Sequence, residues 1–119
     1  PQWKGAVMDR AESNFEWFKN HVSILFWSLG NESYAGDNVE CMNRYFKEKQ
    51  DGRLVHYEGV VNNRAYEKTV SDVESRMYAT PQDIRDYLDN EPDKPFILCE
   101  YMHDMGNSLG GMDSYMKLF

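Results

Sequence analysis

Two stretches of this sequence place an acid directly after a run of apolar residues. Phe96-Ile97-Leu98-Cys99 runs into Glu100 and then Tyr101-Met102-His103-Asp104-Met105-Gly106-Asn107-Ser108; Ile24-Leu25-Phe26-Trp27-Ser28-Leu29 runs into Gly30-Asn31-Glu32-Ser33. A glutamate at the C-terminal end of a buried strand stands where parallel α/β proteins gather their chemistry. Two of them in one small fold suggest a carboxylate pair. Such a pair suits cleavage of a glycosidic bond, one carboxyl protonating the leaving oxygen while the other attacks the anomeric carbon or activates water. Pattern alone weighs this evenly against a plainer reading, in which both are solvated loop residues. Asn31 favours the first, because its amide can hydrogen-bond a sugar hydroxyl or the partner carboxylate.

The surrounding residues predict the elements that position the pair. Met8, Ala11, Phe15 and Phe18 recur at helical spacing within residues 5–19, an amphipathic helix with one buried face. Residues 23–29 form an apolar run, the pattern of a strand covered on both faces. Asp37 or Asn38 caps a second helix with Val39, Met42 and Phe46 on its apolar side, closed by Gly52. Residues 54–58 read as a strand, 60–72 as a long polar loop, and 74–79 as a weaker strand. Thr80-Pro81-Gln82-Asp83 supplies a cap, a proline at the first helical position and an acid in the first turn. Pro92 and Pro95 bracket the last strand, 96–100. A final helix, capped by Asn107 and Ser108, turns Met112, Tyr115, Met116 and Phe119 to one side. The order α-β-α-β-loop-β-α-β-α is an α/β fold with parallel strands. It is either part of an eight-stranded barrel or a small doubly wound sheet, and periodicity does not separate the two.

Bulk properties exclude several classes. A net charge of −7 argues against nucleic acid or a membrane surface as partner. No apolar run approaches the roughly 20 residues of a membrane span. Cys41 and Cys99 are too few for a disulfide framework and read as reduced thiols, which fits the cytoplasm. Pro1 at the start and an uncapped Phe119 at the end suggest a segment of something longer.

Two long motifs, Trp27-Ser28-Leu29-Gly30-Asn31-Glu32-Ser33 and Ile97 through Ser108, closely resemble the active-site signatures of bacterial β-galactosidases of glycoside hydrolase family 2. Val55-His56-Tyr57-Glu58-Gly59 and Arg76-Met77-Tyr78-Ala79 match between them, in the same order. The resemblance covers essentially all of residues 1–119 and looks closest to the lactic-acid-bacterial enzymes. Related β-glucuronidases share the paired glutamates but lack the tail after the second.

The resemblance implies a retaining double displacement on a partial (β/α)8 TIM barrel, roughly strands four to seven with their flanking helices. Glu32 is then the acid/base and Glu100 the nucleophile. Asn31 contacts the sugar 2-hydroxyl, His103 another hydroxyl, Tyr78 lies beside the nucleophile, and Met77 floors the sugar site. Without the family match, Tyr78 reads as an aromatic at a strand end, His103 as a local hydrogen-bonder and Met77 as core. His56 and Arg76 interrupt strands at positions open to the barrel interior, where Arg76 needs an acid partner, Glu58 or Glu74. In the family the acid/base also ligates Mg²⁺, so Glu32 is a candidate ligand whose companions, like the Na⁺ ligands, lie outside this segment. The implied partners are a β-galactoside such as lactose, the remainder of the parent enzyme and an oligomer. The alternative is a non-catalytic isolated fragment, with open strand edges and one uncovered sheet face.

Overall fold

Each amphipathic stretch becomes a helix and each apolar run a short strand, in the expected alternation. The computed structural model describes residues 2–107 and 109–119. In chain order the elements are α1 (Lys4–Phe18), β1 (Phe26–Ser28), α2 (Asp37–Glu48), β2 (Leu54–His56), β3 (Glu74–Met77), α3 (Pro81–Asp89), β4 (Phe96–Glu100) and α4 (Met112–Met116). Two 3-10 turns, Glu58–Asn62 and Arg64–Tyr66, lie between β2 and β3. All pairings are parallel: β1 with β2, Phe26 opposite Leu54, and β3 with β4, Glu74 opposite Phe96.

Between the two pairs the strand ladder gives way to isolated bonds, most of them to side chains. Asp72 donates its N–H to the Val55 carbonyl at 2.8 Å, and its carboxylate accepts from the Val55 N–H at 2.7 Å. His56 bridges the same gap, with Nδ1 2.9 Å from Ser28 Oγ on β1 and Nε2 2.7 Å from Ser75 Oγ on β3. Burial lowers the His56 pKa below its ordinary value, although the Glu58 charge opposes this. Lys94, just ahead of β4, donates to the carbonyls of Glu67, Val70 and Ser71, tying the start of β4 to the segment before β3.

The core lies on the helix-covered side of β1 and β2. Ala11 and Phe15 of α1, Met42 and Phe46 of α2, Trp27 and Val55 are buried in one cluster. Trp27 stacks on Phe46 with ring centroids 5.2 Å apart, and its indole N–H donates to Asp51 at 3.0 Å. Each such buried large side chain contributes about 2–3 kcal/mol. On the second pair, α3 starts at the cap its sequence predicts, and Thr80 and Asp83 bond reciprocally as a capping box. It buries Ile84 and sets Tyr87 against Phe96.

Four expectations need correction. The run 23–29 is not covered on both faces: only Trp27 of β1 is buried, and Leu25 is 69 % exposed. Trp27 packs against Phe15 of α1 and Phe46 of α2. Residues 60–72 are a loop as expected, with 3-10 turns, but not a wholly polar one: Val60 and Val70 join the core, and Asn43 bonds Thr69 O and Ser71 N. Arg76 does not share the His56 face. His56 bonds Ser75, so strand alternation turns Arg76 to the other side, where its guanidinium lies 5.5 Å from both the Tyr87 and Phe96 rings. Its acid partner is Glu74, at 2.7 Å, which also takes a bidentate pair from Arg64. Finally, α4 begins at Met112 with Gly111 as its N-cap, in the left-handed conformation, rather than at Asn107. Ser108 lies outside the described residues.

Candidate active site

The functional side chains collect where β1, β3 and β4 end. Regular pairing of β3 with β4 sets Arg76 opposite Leu98, but the next pair is Met77 with Glu100, so Cys99 is an extra residue in β4. Such a bulge turns the strand and re-aims the residues beyond it. Here it brings Glu100 against Tyr78. The Tyr78 N–H donates to the Glu100 carbonyl at 2.8 Å, and the Tyr78 phenol donates to Glu100 Oε2 at 2.6 Å.

Three residues past these strands hold positive φ without being glycine: Glu32 at 50°, Tyr78 at 56° and Met102 at 54°. Each costs on the order of 1–3 kcal/mol, a strain that surrounding contacts must hold in place and that recurs at functional sites. Electrostatics connects the three strand ends. Accepting the hydrogen bond, the Glu100 carboxylate is the main reason the Tyr78 phenol stays above its usual pKa; desolvation and the charges of Glu100 and Glu32 add to this. Both carboxylates therefore lie within electrostatic reach of one phenol.

His103 is exposed, its ring centroid 6.3 Å from that of Tyr78. Asn31 and Glu32 are both exposed at the β1 exit. Met77 is half-buried and stands directly opposite Glu100 in the β3–β4 register. The structure thus gathers Tyr78, Glu100 and His103 by direct contact, with Glu32 linked by its charge and Asn31 by its place in the chain. Among the described residues no three His, Cys, Asp or Glu gather in a group that could hold a metal ion.

One functional candidate, Glu58, emerges only from the structure. It is 4 % exposed, and its Oε1 accepts the backbone N–H of Glu32 at 2.5 Å. A signal for it exists in the sequence, because Glu58 is a third glutamate just past an apolar strand, the same reasoning that singles out Glu32 and Glu100.

Strand-exit carboxylates on parallel βα units are the site layout of an α/β enzyme. The chain belongs to the glycosyl hydrolases family 2, TIM barrel domain, whose family profile matches residues 1–119. It is 69 % identical over 117 residues to a β-galactosidase large subunit of Latilactobacillus sakei, covering 98 % of this chain and 19 % of that protein. It is 64 % identical over 118 residues to the β-galactosidase large subunit of Lactobacillus helveticus, covering 99 % of this chain and 19 % of that one. A β-galactosidase of Halalkalibacterium halodurans is 63 % identical over 117 residues, covering 98 % of this chain and 11 % of the relative. The chain therefore spans about a fifth or less of the length of these relatives.

Proposed function

We propose that these residues are the catalytic-core segment of a retaining β-galactosidase, with β1 to β4 as the fourth to seventh strands of a (β/α)8 barrel. Glu100 attacks the anomeric carbon of a terminal β-galactoside such as lactose while Glu32 protonates the departing oxygen. Glu32, now a base, then draws a proton from water, which displaces Glu100 from the galactosyl ester. The observation that carries this reading is the 2.6 Å hydrogen bond from Tyr78 to Glu100, made at a phenol that also feels the charge of Glu32. In that position Tyr78 orients the nucleophile and stabilises it as it leaves the sugar. Asn31 and His103 are the ring-hydroxyl contacts and Met77 part of the sugar floor. Glu32 doubles as one ligand of a Mg²⁺ ion completed elsewhere in the parent chain.

Relatives named as large subunits support a second subunit as partner. The free thiols of Cys41 and Cys99 support a reducing compartment such as the cytoplasm. Among the described residues no helix is long and apolar enough to cross a membrane.

Exposed Leu25, Phe26 and Leu54 favour a second reading for the 119 residues alone, that they need the rest of the barrel to act. Proton NMR of early product tests the mechanism on the complete parent chain. β-Galactose appearing first supports retention; α-galactose appearing first overturns it.

A further inference from the structure

The residues around Glu32 are shaped by the segment just past β2. Glu58 Oε1 takes the Glu32 N–H at 2.5 Å. The Tyr57 phenol donates to the Ser33 carbonyl at 2.9 Å and lies 2.5 Å from the Ser33 hydroxyl. Gly59 packs so closely under this turn that a Cβ there would stand 2.0 Å from Ser33 O. Ala35 donates its N–H to the Gly59 carbonyl at 3.2 Å, and the Asn63 amide donates to Ala35 O at 2.8 Å. Residues 32 to 35 are thus held from one side by Tyr57, Glu58, Gly59 and Asn63. Most of these bonds pair neutral groups. The one at Glu32 itself is charge-assisted, made by a carboxylate that is 4 % exposed, and it falls on the residue with φ of 50°.

We propose that Glu58 is a positioning residue for the acid/base, which rests on the reading of Glu32 above. Its buried carboxylate fixes the Glu32 main chain in the left-handed conformation, and from there the Glu32 carboxyl is aimed at the glycosidic oxygen. The anchor grips the Glu32 backbone N–H and leaves the Glu32 carboxyl available for proton transfer. Losing the anchor releases a strained turn, and misplacement by an ångström costs about 100-fold in a positioned proton transfer.

The test uses the complete parent enzyme and two substrates: methyl β-galactoside, whose leaving group needs protonation, and 2,4-dinitrophenyl β-galactoside, whose leaving group does not. Glu58→Ala is expected to lower kcat/KM about 100-fold on the first and by less than about 3-fold on the second. Glu58→Gln, whose amide oxygen can still accept the Glu32 N–H, is expected to recover most of the loss. If Glu58→Ala does not fold, Glu58→Asp keeps the charge but shortens the reach and is expected to show the same substrate selectivity. Equal losses on both substrates, or no loss, overturn the assignment of Glu58. Glu32→Ala is the control: if it too lacks leaving-group selectivity, the role of Glu32 itself falls. If Glu32→Ala is selective and the Glu58 variants are not, only the present inference fails.

Discussion

The Tyr78 phenol and the Glu100 carboxylate are joined at 2.6 Å, and their main chains are joined as well, Tyr78 N–H to Glu100 O at 2.8 Å. The double link exists because β4 carries Cys99 as an extra residue, which sets Met77 rather than Tyr78 opposite Glu100. Tyr78→Phe keeps the backbone link and removes only the phenol. A hydrogen bond to a charged group contributes about 1.5–3 kcal/mol, so kcat in the parent enzyme should fall about 10- to 100-fold. Steady-state kinetics checks this, and an unchanged kcat would remove Tyr78 from the reaction.

Gly59 has no room for a side chain. An added Cβ would meet Ser33 O, in the turn that carries Glu32, at 2.0 Å, and the Tyr57 ring, which braces that turn, at 2.7 Å. Gly59→Ala should destabilise by about 1–3 kcal/mol, as overpacking does, and should depress turnover of substrates that need acid assistance. Gly5 is the contrast: a Cβ there meets nothing within 4 Å in α1, so Gly5→Ala should stabilise by about 0.5–1 kcal/mol. Thermal melts of the two variants report opposite signs.

Two groups make the region around β2 and β3 sensitive to acid. Burial pushes the Glu74 carboxyl up, but hydrogen bonds and charge from Arg64 and Arg76 outweigh it and leave Glu74 below its ordinary value of 4.5. The contribution of Glu74 is therefore complete above 4.5 and is lost as pH falls through the lower folded value. His56, held below its ordinary 6.5 mainly by burial, contributes fully above 6.5. Below that, the unfolded chain takes up the proton first and stability declines. Hydrogen exchange of β2 and β3 amides, corrected for intrinsic rates, should show protection falling in two steps as pH drops. Glu74→Gln should shrink the lower step, to which Asp51 also contributes, and His56→Gln should abolish the upper.

Local signals in the sequence survive folding almost unchanged. The Thr80 to Asp83 capping box needs only residues within one turn, and α3 starts where it predicts. Glu32 and Glu100 are legible because each lies just past an apolar strand, a one-dimensional feature. Apart from the start of α4, set locally by Gly111, the failures depend on distant neighbours. The orientation of Arg76 is set by the His56 bond to Ser75, 19 residues apart, and the open face of β1 by which helices lie against it. The bulge at Cys99 exists only in the pairing with β3. Of the two acid partners the sequence offers Arg76, Glu74 takes that place, and Glu58 instead accepts a backbone N–H 26 residues earlier. Residues 60–72 look polar in composition, yet Val60 and Val70 carry the segment into the core.

The central claim is that Glu100 forms the covalent bond to the sugar. Incubating the complete parent enzyme with 2,4-dinitrophenyl 2-deoxy-2-fluoro-β-galactoside should slow both steps and trap the intermediate. Peptide mass spectrometry should then find the fluorogalactosyl group as an ester on Glu100, and none on a Glu100→Gln variant. A label on Glu32 or on another residue, or labelling that persists in Glu100→Gln, would contradict the account.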